Sequence, residues 1–172
     1  MRIATIILLT LAVITLALQF SDSVEQEQMI RICRAYGMSQ ARAKEFTASV
    51  ITHATQFNIN PWFIFYIAVA ETNLKNVIGD DGASYGYFQL HRDTLLYLRK
   101  KYKLWIPQKL EELILNVDLQ VYIACFYAKL LLDRYKDYET VLERWNGSKK
   151  YVSYFKRIVE YVTAVYGGAS LD

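Results

Sequence analysis

Hydrophobic positions along the chain recur with a helical period. The longest stripe, Val117, Val121, Ala124, Cys125, Ala128, Leu131, Leu132 and Tyr135, predicts one long helix. Phe46, Val50, Ala54 and Phe57 recur at similar spacing between Ser39 and Phe57. Val152, Phe155, Val159, Val162 and Tyr166 do so ahead of Gly167-Gly168, a pair suited to closing a helix. Shorter helices are expected over residues 25–36, from Asp93 to near Tyr102, after Pro107, and around Val141, Leu142 and Trp145. No run alternates well enough to predict a sheet, although a small hairpin fits within residues 77–90. The expected fold class is all-α, or at most a mainly helical α+β.

One segment breaks the amphipathic pattern. Asn60-Pro61 reads as a helix start, with an N-cap side chain and then a residue whose missing N–H costs nothing there. The run Trp62 to Ala70 that follows is apolar nearly all round, as a buried helix should be. It ends on a carboxylate, Glu71, which shares a helical face with Ile64, Ile67 and Ala68. Partial desolvation there disfavours the charged form and raises the carboxyl pKa, as a general acid at neutral pH requires. Taken alone, Glu71 marks only the wet end of a core helix. The next segment shifts the balance toward catalysis.

That segment is a loop with glycines at 79, 82 and 86, closing on Gln89. Glu71-Thr72, then Gly79-Asp80-Asp81-Gly82, then Gly86-Tyr87-Phe88-Gln89 resembles the motif of the soluble lytic transglycosylases and goose-type lysozymes, which cleave peptidoglycan. The resemblance extends more faintly over residues 45–165 and implies a lysozyme-like domain, here taken as residues 24–168. Glu71 is then the catalytic acid. Thr72, Ser84, Tyr85, Gly86, Tyr87 and Gln89 become substrate-binding candidates, Tyr85 and Tyr87 being the best placed of the fourteen tyrosines to line a cleft. Asn116-Val117 resembles the family's Asn-Ile pair opening a long helix. Farther on, Arg144-Trp145-Asn146-Gly147 stands where relatives carry Ala-Tyr-Asn-x-Gly. Asn146 matches and Trp145 replaces the Tyr; an indole donates one hydrogen bond and accepts none. Tyr122 or Tyr127 would be the source of the missing hydroxyl.

The mechanism divides on a second carboxylate. Lytic transglycosylases use one Glu, first as acid and then as base, while the muramic acid 6-hydroxyl closes an anhydro ring. A two-carboxylate glycosidase needs a partner, and Asp80 and Asp81 are the acids available in the loop. A Gly-Asp-Asp-Gly run is equally a natural turn. Single-carboxylate cleavage of the MurNAc–GlcNAc bond leads, with lysozyme-type hydrolysis second. From other classes come a non-catalytic wall-binding or assembly factor on a degenerate scaffold, and a signal-anchored helical structural protein.

Residues 1–23 hold Arg2, an uncharged run from Ile3 to Phe20, and Ser21-Asp22-Ser23. They read as a secretory signal peptide cut near Ser23-Val24, or as an uncleaved anchor, placing the rest outside the cytoplasm. Removing them takes away one positive and one negative charge, so the formal net charge stays +3. That suits an anionic wall and is too weak and scattered for nucleic acid. Cys33 and Cys125 permit a disulfide or two buried thiols in equal measure. His53 and His91 lack metal-ligand spacing, and no metal or cofactor is expected. The partner implied is the peptidoglycan glycan strand. Wall remodelling, an envelope-spanning secretion or conjugation apparatus, and a phage remain equal settings; oligomeric state is unread. Residues 169–172 are expected to fray.

Overall fold

The computed structural model describes residues 7, 8 and 23–171. The signal segment expected over residues 1–23 therefore lies almost wholly outside the described residues. Among those described, no helix is long and apolar enough to cross a membrane.

A first helix, α1, covers residues 23–35. Then come α2 (Gln40–Gln56), α3 (Pro61–Thr72), α4 (Arg92–Tyr102), α5 (Val117–Tyr135), α6 (Tyr138–Asn146) and α7 (Lys149–Tyr166). The breaks are chemically explicit. Ser39, Asn60, Asn116, Asp137 and Ser148 each cap the following helix by accepting a hydrogen bond from a first-turn N–H. Asn73, Lys136, Gly147 and Gly167 end helices in the left-handed conformation.

Packing between helices closes a ring: α2 on α3, α3 on α7, α7 on α6, α6 on α5, and α5 back on α2. The α2–α5 contact carries a polar tether, because Asp118 accepts from Ser49 Oγ at 2.6 Å and lies 2.9 Å from His53 Nε2. Within the ring, α3 is buried at every residue from Trp62 to Ala70. Fully burying a large apolar side chain contributes roughly 1.5–3 kcal/mol, so α3 organises the core.

Between α3 and α4 the chain forms the small sheet. Strands β1 (Ile78–Gly79), β2 (Ser84–Tyr85) and β3 (Leu90–His91) lie antiparallel in sequence order, with Ile78 opposite Tyr85 and Ser84 opposite His91. The hairpin expected within 77–90 is thus one strand larger. A 3-10 turn (Leu110–Leu115) packs against β2. Among the described residues the fold is mainly helical, as the sequence predicts, with this small sheet where at most a hairpin is expected.

One detail differs from expectation. The tail after Gly167 does not fray as far as Leu171. Tyr66 Oη donates to Ala169 O at 2.7 Å, and Ala169 and Leu171 pack against the core. A Cβ on Gly168 would come within 2.4 Å of that Tyr66 hydroxyl, which is why the tail can lie so close to α3. Of the two readings open for the cysteines, the structure has the buried thiols: both are free, and burial pushes the Cys33 thiol up to about 12. Alkylation of the denatured chain without reductant should therefore add two groups by mass spectrometry. An unlabelled chain two hydrogens lighter would instead mean that the thiols are joined.

Candidate active site

Glu71 sits in the last turn of α3, where the apolar run gives out. The chain then reverses sharply. Asn73 and Leu74 are both left-handed, at φ +52° and +59°, and the N–H groups of both turn back to α3 carbonyls. Leu74 tolerates that conformation because its side chain is buried. Across the described residues, Asn73, Leu74, Asp80, Asp81 and Gln89 make up most of the non-glycine positions with positive φ, and all belong to this one loop. Such concentrated strain is typical of functional sites.

The residues on either side of Glu71 are fastened to opposite walls. Tyr154 Oη, from α7, donates to Ala70 O at 3.2 Å. The Thr72 hydroxyl lies 3.0 Å from Tyr87 O in the loop and 3.1 Å from Ala68 O, and it accepts from Lys75 N. Thr72, a candidate substrate contact, spends its hydroxyl joining helix to loop.

Burial raises the Glu71 carboxyl to about 7, from an ordinary value near 4.5. The Tyr151 hydroxyl and the Asn146 side chain face it and favour the ionised form less strongly, while the charge of Asp80 opposes ionisation. Glu71 Oε1 and Tyr151 Oη are each buried without a partner at full hydrogen-bond geometry. The pair is therefore close but loosely aligned, as catalytic hydrogen bonds often are before substrate binds. Tyr151 is itself raised by burial and by the Glu71 charge, so it keeps its proton and can only donate to the carboxylate. Glu71 thus has hydroxyl and amide neighbours, and none of its described neighbours is a fixed cation.

The loop is rigid for a reason that sequence alone did not reveal. Two glutamine side chains are laid across two glycines. Gln120, buried on α5, accepts from Tyr87 N at 3.0 Å and donates to Leu113 O and Asn76 Oδ1. A Cβ on Gly86 would sit 2.0 Å from its Oε1. Gln89 donates to Gly86 O at 2.9 Å and to Val77 O at 3.2 Å, and a Cβ on Gly79 would sit 2.1 Å from its Oε1.

Several expectations change accordingly. Gly86, a substrate-binding candidate, is approached instead by the Gln120 amide. Gln89 is turned onto its own loop rather than toward a glycan. Tyr85 and Tyr87, expected along the cleft, are interior residues at 0% and 3% exposure. Tyr85 donates to Gly82 O at 2.7 Å, and the Tyr87 ring packs 4.7 Å from Phe46. Their rings fill the space beneath the sheet, where burial outweighs any surface role. Ser84 is buried and donates to Asp80 at 2.5 Å. Asp81 is exposed at φ +50°, in the turn conformation. Trp145 packs on Tyr127 at 5.2 Å, and Tyr122 lies against His53 and Phe57. The hydroxyl facing the acid comes instead from Tyr151. Of the candidates, the structure brings Asn146 and Asp80 to Glu71 and uses Thr72, Ser84, Gly86 and Gln89 to build the loop around it. Among the described residues no cluster of three or more His, Cys, Asp or Glu could hold a metal.

Comparison with solved structures shows a likeness at the level of the fold. An inactive mutant of the lytic transglycosylase Slt from Pseudomonas aeruginosa superposes with a TM-score of 0.52 at 16% identity, over 67% of this chain and 20% of that one. No family model and no curated protein matches the chain. The chain spans about a fifth of the length of that enzyme.

Two outcomes check the site. Gly86→Ala places a side chain at φ +77° and against Gln120, while Gln120→Ala strands the buried Tyr87 N–H and Leu113 carbonyl. Each should lower the unfolding free energy by about 2–4 kcal/mol; wild-type melting of Gly86→Ala would contradict the packing. The second concerns pH. Because the folded-state pKa of Glu71 lies above the unfolded one, the folded chain binds the extra proton between about 4.5 and 7. Stability should therefore fall as pH rises through that window, by on the order of 3 kcal/mol at most. Denaturant midpoints of wild type and Glu71→Gln should converge at pH 4 and separate at pH 8 in favour of the variant. Parallel pH profiles would rule out a raised Glu71. This likeness and the observed elements together give the architecture: a mainly helical, lysozyme-like fold.

Proposed function

We propose that the protein is an exported peptidoglycan-cleaving lytic transglycosylase acting on the MurNAc–GlcNAc bond, with Glu71 as its single acid and base. The observation that carries this reading is the desolvated Glu71 carboxyl, raised to about 7 and faced by a phenol rather than a cation. Such a group holds a proton at neutral pH and can surrender it. Protonated Glu71 donates to the glycosidic oxygen as the C1–O bond breaks, which discharges the leaving sugar as an alcohol. The resulting carboxylate then takes the proton from the muramic acid 6-hydroxyl as that oxygen bonds to C1. The anhydro ring closes, and Glu71 is again protonated. No water is consumed. Tyr151 and Asn146 would steady the carboxylate between the two steps, since both favour its charged form.

The state of Asp80 supports one carboxylate over two. Its carboxyl accepts the 2.5 Å hydrogen bond from buried Ser84 and so belongs to the turn. A hydrolase remains the second reading because the Asp80 charge is felt at Glu71. In that case Asp80 would orient the attacking water.

Purified walls decide between them. Glu71→Gln should remain folded and lose about 10²–10⁴-fold in turnover. Tyr151→Phe should lose less and move the alkaline limb of the pH–rate profile upward, because the group that favours ionised Glu71 is gone. Asp80→Asn should retain most of the rate, and the products should carry 1,6-anhydro ends, one water lighter than hydrolytic products. Reducing ends together with an inactive Asp80→Asn would install the hydrolase. A Glu71→Gln variant of unaltered rate would remove the enzyme reading altogether.

A further inference from the structure

Three helix ends meet in a groove of about 710 Å³ that the proposed chemistry does not use. Lys101 closes α4, Arg134 closes α5, and Arg144 lies in the last turn of α6; all three line it. Each cation is braced by tyrosine. Arg134 and Arg144 lie 5.2 and 5.3 Å from the centre of the same Tyr135 ring. Lys101 Nζ lies 5.2 Å from the Tyr97 ring centre and 5.4 Å from that of Tyr102, and it donates to Tyr97 Oη at 2.8 Å.

The charge balance of the groove is lopsided. Of its two carboxylates, Asp133 is paired with Lys129 at 2.6 Å, and Asp93 sits in the first turn of α4 beside His91. Among the described residues neither Arg134, Arg144 nor Lys101 has a carboxylate partner. A helix dipole favours a cation at each C-terminus, but it does not account for two guanidiniums converging on one ring without an anion between them. What the groove presents is guanidinium and ammonium N–H, which suits carboxylates.

Its position sets the kind of ligand. Arg144 and Asn146 are two residues apart on α6, hence on nearly opposite sides of that helix, and Asn146 faces Glu71. The groove is therefore about one helix width, roughly 10–12 Å, from the acid. A glycan strand lying in the Glu71 cleft would not enter it. A side branch of three to five residues would, since an extended chain reaches about 3.3–3.6 Å per residue.

We propose that this groove is a second binding site, taking the carboxylate-bearing peptide stems of peptidoglycan while the glycan lies at Glu71. It rests on the wall-cleaving reading for its ligand but can be tested apart from it. The probe is a stem tetrapeptide, freed from sugar by an amidase, titrated calorimetrically into the full chain. Wild type should bind saturably, Glu71→Gln should bind equally well, and the Arg134→Gln/Arg144→Gln double variant should bind at least about tenfold more weakly. Both arginines are exposed, so an unchanged melting temperature checks that the fold is kept, and Lys at both positions should restore part of the affinity. Absence of saturable binding, or equal binding by the double variant, overturns the proposal. So does inorganic polyphosphate binding more tightly and displacing the peptide, since the groove would then be a phosphate-polymer site. Peptide binding by a chain that cleaves no wall would uphold the groove and retire the enzyme. Wall cleavage without peptide binding would retire the groove alone.

Discussion

A helix with no polar face has to be enclosed on every side, and α3 meets that demand from Trp62 to Ala70. The requirement draws α2 and α7 onto it and pulls even the C-terminal tail against Tyr66. It also fixes where the first ionisable group after the run must stand. Glu71 cannot withdraw into solvent, because Ala70 and Thr72 on either side are bonded to α7 and to the loop. Its raised pKa is the consequence of that enclosure. The folded chain accepts a stability cost at neutral pH to keep a proton there, a trade expected where activity and stability compete.

Around this acid the loop is made stiff by amides rather than by bulk. Gln120 satisfies the Tyr87 N–H from inside the core, and Gln89 satisfies two loop carbonyls from above. Each leans on a glycine that has no room for a Cβ. The geometry tolerates five left-handed non-glycine residues between 73 and 89 because these bonds over-determine it. A Gly-rich loop in this position is therefore a rigid wall, and Ser84 and Asp80 extend that wall through one short hydrogen bond.

The helical stripes and caps were legible in the sequence because burial follows the 3.6-residue period and capping is local chemistry. Glu71 was legible as the first charge after an apolar run. The partners of the loop were not. Gly86 and Gln89 drew attention as ligand contacts, whereas their neighbours are Gln120 and the loop itself, more than thirty residues away in the first case. A clue did exist: Gln120 stands between Val117 and Val121 on an apolar stripe, and a buried amide must find partners. Tyr151 was missed similarly. It lies four residues before Phe155, at the head of the α7 stripe, and carries its hydroxyl into the core toward Glu71. Periodicity assigned its face to packing and said nothing about what the hydroxyl would meet. Tyr85 and Tyr87 failed in the opposite direction, since abundant tyrosine was read as cleft surface and these two rings are core.

Everything proposed for the site depends on the fold holding a proton on Glu71 near neutral pH. Carbon-detected NMR of the side-chain carboxyl groups, with Glu71 assigned by its absence in Glu71→Gln, measures this directly. The Glu71 resonance should titrate with a midpoint near 7, well separated from the other glutamates. A midpoint at the ordinary glutamate value near 4.5 would mean that the carboxyl is solvated and is no reservoir for a general acid.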